Sequence, residues 1–179
     1  MYLLNNQKIN IDAPITIDGI TYPNLRDSSL RAQLGVQELP DPVYPDARYY
    51  YWSENTNGSL EITPKSVEQV KQQKLQEIAT KRYEKETGGI TLGESKITTD
   101  RQTQATITSA LLRLQRKPEE LIDWKGEAGW TQLNKAAVEV IADAVGDHVQ
   151  ACFTAEKNAV QALEALSTFD EVIGFEIVV

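Results

Sequence analysis

Cysteine and histidine each occur once among these 179 residues, as Cys152 and His148. One thiol excludes an intramolecular disulfide framework and any thiolate cluster for zinc or iron–sulfur. One imidazole removes two-histidine metal sites and most histidine-relay catalysis. No apolar run approaches the roughly 18 residues of a membrane-spanning helix. The start, Met1-Tyr2-Leu3-Leu4-Asn5-Asn6, turns polar too early for a secretory leader. Positive charge is also scarce: 18 Lys and Arg face 26 Asp and Glu, a formal charge of -8. Such a chain repels phosphate over most of its surface, which argues against nucleic-acid partners. Neither a GxxxxGK(S/T) phosphate loop, nor GxGxxG after a strand, nor a GxSxG elbow is present. The expectation is a soluble chain made in a reducing cytoplasm, with no metal, no cofactor and no membrane partner.

Hydrophobic residues at 41% and charged residues at 25% are ordinary globular usage, so a packed core is expected. Composition changes along the chain. Residues 1–64 hold six of the seven prolines and most tyrosines. Lys8-Ile9-Asn10-Ile11-Asp12 and Ile15-Thr16-Ile17 alternate with strand period. Asp18-Gly19 before Ile20-Thr21-Tyr22 marks a tight hairpin, because glycine tolerates the positive φ of a primed turn. Residues 25–34 suit a short helix stopped by Gly35. Residues 39–45, Leu-Pro-Asp-Pro-Val-Tyr-Pro, lack ladder donors and read as an extended connector. A third strand is expected over residues 48–52, turning at Asn57-Gly58 and returning over 59–63.

Ser66 is the expected N-cap of a helix running to Gly88-Gly89. Its apolar stripe (Val67, Val70, Leu75, Ile78, Ala79) is thin, so residues 65–88 read as a solvated linker helix. Short strands around Gly93 follow. Asp100 then caps a helix over 101–116, with Ala105, Ile107, Ala110, Leu111 and Leu114 inward and Pro118 as its stop. A second hairpin, turning through Lys125-Gly126-Glu127-Ala128, carries Trp124 and Trp130, both expected in the core. A long helix is expected over 133–166. Its stripe runs Leu133, Ala137, Val140, Ile141, Ala144, His148, Cys152, Ala155, Ala159, Leu163, Leu166, packing antiparallel on the 101–116 helix. Residues 175–179 suggest a terminal strand. The fold class is α+β: a β-rich module over 1–64, a linker helix over 65–88, and a helical domain with long antiparallel helices and short hairpins over 89–179.

Candidate chemistry is sparse. His148 and Cys152 share a helical face, but their neighbours are alanines, so a core histidine beside a small buried thiol is expected. Glu119-Glu120 and Asp170-Glu171 flank helix ends, and Asp143 with Asp147 lies on a solvated face. No catalytic residue is assigned. The more informative cluster is Tyr44, Tyr49, Tyr50, Tyr51 and Trp52. On a strand, Tyr49 and Tyr51 face one way and Tyr50 and Trp52 the other, and a small sheet buries one face well. Two readings stay open: aromatics capping a thin core, or a protein-binding surface.

Ile97-Thr98-Thr99-Asp100-Arg101-Gln102-Thr103-Gln104-Ala105, Ile122-Asp123-Trp124-Lys125 and His148-Val149-Gln150-Ala151-Cys152-Phe153 together carry a resemblance. They resemble an uncharacterised C-terminal domain of tail and tail-fibre-associated proteins of tailed bacteriophages. Residues 165–172 resemble that family's final element, and Gly19-Ile20-Thr21-Tyr22-Pro23 with residues 42–52 its β-rich leader. The resemblance brings no catalytic residue with it. It implies a place in the tail or fibre apparatus of a phage, for a chain made in the host cytoplasm. Taken with the aromatic cluster, the expectation is a non-enzymatic binding or structural component that docks on a tail-fibre or baseplate protein through Tyr44, Tyr49, Tyr50, Tyr51 and Trp52. A homotrimer matching a fibre is compatible with it. The alternative it implies is a tail-fibre assembly chaperone absent from the mature particle.

Overall fold

A computed structural model describes residues 1–126 and 129–179. The chain is α+β and divides into two compact units, Met1–Ser66 and Val67–Val179.

The first unit is built from short strands. β1 (Tyr2–Leu4) and β2 (Gln7–Ile9) form a hairpin through Asn5 and Asn6, both in the left-handed region that asparagine tolerates. Strand β1, for which the alternation pattern made no provision, is the central member of the three-stranded sheet, and its Leu3 is buried. The alternation over 8–12 yields a shorter strand than expected. Asn10 ends it by accepting the Asp12 N–H on its side chain at 2.9 Å, an Asx turn. β3 (Ile15–Ile17) and β4 (Ile20–Tyr22) form the expected hairpin, with Asp18 at φ 50° and Gly19 at φ 80°. The Thr16 and Thr21 hydroxyls bond across it at 2.9 Å. α1 (Ser28–Gln33) is capped by Asp27, whose carboxylate accepts from the Ser29 and Leu30 N–H groups. β5 (Gln37–Glu38) returns the chain to β1, and β6 (Tyr50–Glu54) pairs with β7 (Leu60–Pro64). Among the described residues of this unit, Leu3 and Leu25 make up the buried apolar core. Polar ties supplement it: the Leu25 N–H donates to the Ile11 carbonyl at 2.7 Å, and Arg31 donates to the Leu25 carbonyl at 2.9 Å.

The second unit opens with α2 (Val67–Thr87). This helix is built into the unit and is not the solvated linker its composition suggested. It runs antiparallel to α4 (Lys135–Ala165): Lys71 reaches the Glu164 carbonyl, Arg82 reaches Glu156, and the Lys85 carbonyl meets His148. The buried line on α2 is Val70, Lys74, Ile78 and Glu86, a four-residue spacing in which two of the four positions are charged. Each buried charge has partners. The Lys74 ammonium donates to the carbonyls of Ile173 and Phe175, both at 3.1 Å. Glu86 accepts from Arg82 and from Gln104 at 3.3 Å, and forms an ion pair with Arg101 at 3.3 Å.

Beyond α2, Gly89 stands at φ 89° with the Ile97 carbonyl oxygen 3.0 Å from where a Cβ would lie, so glycine is required by both angle and space. β8 (Ile90–Leu92) and β9 (Ser95–Ile97) make a hairpin. α3 (Arg101–Arg116) begins at Asp100 as expected, with Ile107, Ala110 and Leu114 buried and Ala105 outside. β10 (Ile122–Gly126) and β11 (Gly129–Leu133) form the next hairpin. The turn expected there falls partly on Glu127 and Ala128, which lie outside the described residues. Trp130 is 73% exposed, not core, and Trp124 is half-buried. The strand register explains this: Trp124 shares the inward side with Ile122 and Leu133, while Trp130 faces outward opposite Lys125.

The buried seam of α4 is Val138, Val145, Cys152 and Ala159, joined by Leu163. Seven-residue steps place it slightly around the helix from the expected stripe. Val140 is therefore exposed, and Val138 takes its place against Ala110 and Leu114. α3 packs beside the N-terminal part of α4, and α2 is the helix that lies antiparallel along it. The expected terminal strand is absent from the described residues. α5 (Phe169–Ile173) is a short helix with a Thr168–Glu171 capping box, and buried Val172 closes the unit.

Replacing Glu86 by Ala leaves two guanidinium groups without their buried partner. The second unit should lose about 3 kcal/mol, read as a lower urea midpoint in the helical circular-dichroism signal. A change below about 0.5 kcal/mol would mean that the buried carboxylate contributes nothing net.

Candidate protein-interaction surface

The aromatic cluster is divided by its backbone. Asp46 nucleates a turn: its carbonyl accepts from the Tyr49 and Tyr50 N–H groups, both at 3.0 Å, and its carboxylate from the Arg48 N–H at 2.8 Å. The strand therefore starts at Tyr50 and not at Arg48, and Tyr49 lies in the turn with the Arg48 guanidinium 5.1 Å from its ring centre. The expected shared face of Tyr49 and Tyr51 does not form. Tyr51 lies opposite Thr63 on one side of the β6–β7 hairpin, with the Lys65 ammonium 5.2 Å from its ring centre. Tyr50, Trp52 and Glu54 lie on the other side, opposite Pro64, Ile62 and Leu60.

On that second side Tyr44 and Trp52 meet, with ring centres 4.7 Å apart and planes tilted by 56°. The proline-bordered connector brings Tyr44 there, and the Tyr44 hydroxyl fixes it by donating to Glu54 Oε2 at 3.0 Å. The other Glu54 oxygen accepts from Lys8 Nζ at 2.5 Å, which ties β2 to β6. Tyr44 is 45% exposed, Trp52 42%, Ile62 49% and Val43 89%. The structure thus joins Tyr44 and Trp52, adds Ile62 opposite Trp52, keeps Tyr50 on the same side of the hairpin, and leaves Tyr49 and Tyr51 elsewhere. Ile62 was not legible from the turn signal: a two-residue Asn57-Gly58 turn sets Thr63 opposite Trp52, and the observed register, shifted by one residue, sets Ile62 there.

Hydrogen bonds from Lys8 and then Tyr44 hold the Glu54 carboxyl below its ordinary value, and the Glu54 carboxylate in turn raises the Tyr44 phenol. A carboxylate depressed in the folded chain stabilises above its unfolded value and loses that stabilisation as pH falls through the folded one.

The His148–Cys152 pair is differently placed. Cys152 Sγ lies 3.9 Å from His148 Nε2, but the same nitrogen is 3.0 Å from the Lys85 carbonyl oxygen. That contact uses Nε2 as an N–H donor, which leaves it no lone pair to take a thiol proton. Burial pushes the Cys152 thiol up, away from thiolate. Among the carboxylate pairs, Glu120 is engaged by Arg113 and Glu171 by its capping box. Asp143 and Asp147 are exposed, and no group of three or more His, Cys, Asp or Glu side chains gathers among the described residues. Among those residues, no helix is long and apolar enough to cross a membrane.

Residues 69–178 match the model of a family described as a domain of unknown function, DUF4376. The chain belongs to the DUF4376 family. No curated protein and no solved structure matches it. The DUF4376 match lies within the second unit, so the Tyr44–Trp52 surface belongs to the part of the chain that precedes it.

In a variant whose sole tryptophan is Trp52 (Trp124→Phe, Trp130→Phe), emission should change on acidification with a midpoint below 4.5, the ordinary glutamate value. The step should vanish in Glu54→Gln; persistence there would show that another group controls the pair. Cys152 should resist an aromatic disulfide reagent at pH 8 in the native chain and react at once in urea. Rapid native labelling would contradict its burial.

Proposed function

We propose that this chain is a non-catalytic binding component of a bacteriophage tail, docking on a tail-fibre or baseplate protein through its first unit. The observation that supports docking is the exposed Tyr44–Trp52 pair with Ile62 opposite Trp52, an apolar and amphipathic patch on a two-stranded hairpin. Tyr and Trp bury much area for little lost side-chain entropy, and both recur as interface anchors. The hydrogen bonds of Glu54 to Tyr44 and Lys8 set the pair before any partner arrives, which lowers the ordering cost of association. The tail setting is drawn from the residue resemblance alone.

The test is co-purification with a tail-fibre protein of the same phage. Trp52→Ala with Ile62→Ser should weaken that complex by about 2 kcal/mol or more while amide spectra show both units folded. Unchanged binding by the folded variant overturns the docking surface. Mass spectrometry of purified particles locates the role: stoichiometric peptides support a virion part, and their absence supports a transient assembly chaperone.

A further inference from the structure

In the second unit a cleft of about 520 Å³ lies between the two hairpins and the start of α3. Its lining has an informative order. β9 and its continuation contribute the consecutive residues Lys96, Ile97 and Thr98, and β10 contributes Asp123, Trp124, Lys125 and Gly126. The face of a strand presents alternate residues, whereas its edge presents consecutive ones. The cleft is therefore bounded by the outer edges of β9 and β10.

The register says what those edges carry. In each hairpin two residues separate the innermost pair, Leu92↔Ser95 and Gly126↔Gly129. Those innermost pairs are the hydrogen-bonded ones, and pairs then alternate along the ladder. Lys96, Lys125 and Asp123 fall at the intervening positions, opposite Thr91, Trp130 and Gln132. Their backbone N–H and C=O groups point away from their own hairpins, towards the cleft. Charge adds a second feature. In a chain of net charge -8, the Lys96 and Lys125 ammonium groups line one cleft, and among the described residues neither is held by a carboxylate. Trp124 and Trp130 supply amphipathic walls.

We propose that this cleft receives an extended, acidic polypeptide segment, which adds as a strand between β9 and β10 and joins the two hairpins into one five-stranded sheet. The main chain of the incoming segment pairs with Lys96, Asp123 and Lys125. Its alternate acidic side chains meet the ammonium groups beside Trp130, which shares the Lys125 face, and its other side chains rest on Trp124. Strand addition and not a polyhydroxylated ligand is favoured because the cleft is bounded by edges whose main-chain donors and acceptors, among the described residues, are left unpaired by the hairpin ladders at known positions.

A random decapeptide library selected on the full-length protein supplies the probe. Enriched peptides should alternate acidic with β-branched or aromatic residues, and they should slow hydrogen exchange at the Lys96, Asp123 and Lys125 amides. Lys96→Pro and Lys125→Pro each remove one outward N–H while leaving the inward ladder bonds, a substitution that edge strands tolerate. Each should weaken binding about tenfold, the loss of roughly one main-chain bond. Lys96→Ala with Lys125→Ala keeps both amides and should weaken binding only a few-fold, abolishing most of its salt dependence. The proposal is overturned if no acidic sequence is enriched or if selected peptides leave those three amides unprotected. It is also overturned if the proline variants bind equally well, or if uronic-acid oligosaccharides occupy the cleft where peptides do not. Amide protection in the unmodified protein decides the matter should a proline variant fail to fold.

Discussion

The second unit depends on a carboxylate taken wholly out of water. Glu86 stands at the end of α2, and its partners come from three directions: Arg82 one turn back, Arg101 and Gln104 at the start of α3. Arg82 carries the link onward to Glu156 on α4, at 3.0 Å, with its guanidinium 4.7 Å from the Phe153 ring centre. Gln104 also donates to the Thr99 carbonyl at 2.7 Å, and the Thr99 hydroxyl accepts from the Gly89 N–H at 3.0 Å. One buried charge thus specifies where a helix ends, how the following hairpin leaves it, and how the next helix begins. A pair of apolar side chains at the same place would supply area without direction.

This polar seam also explains what the residues disclosed in advance and what they hid. Local signals were legible wherever one residue's own chemistry decides the backbone. Asp100 capping α3, Asp18-Gly19 turning β3 into β4 and Asn57-Gly58 returning β6 as β7 all stand where the pattern put them. The role of α2 was not legible, because hydrophobic periodicity counts Lys74 and Glu86 as surface residues. Their burial becomes affordable only through partners as distant as the Ile173 carbonyl and Arg101. The burial of Val138 and exposure of Val140 on α4 have a similar cause: two neighbouring helices set the buried line, and one helix read alone does not show them.

The aromatic surface was half-legible. Composition identified the crowded segment, and pairing register decided which rings meet. Asp46 shifts the strand start by a turn and so removes Tyr49 from the sheet, while the proline connector delivers Tyr44 from outside it. A strand pattern cannot show a contact made by a residue that belongs to no strand. The two units therefore present contrasting surfaces: an aromatic patch preset by Glu54 in the first, and a cleft between strand edges in the second.

The Lys74 ammonium has a further consequence, for the order of events during synthesis. Its carbonyl partners lie 99 and 101 residues further along the chain. While α3 and α4 are still being added, α2 is already made, and these two acceptors of its inward-facing cation are not. The inner face of α2 therefore gains these two bonds only when residues 173–175 have been added.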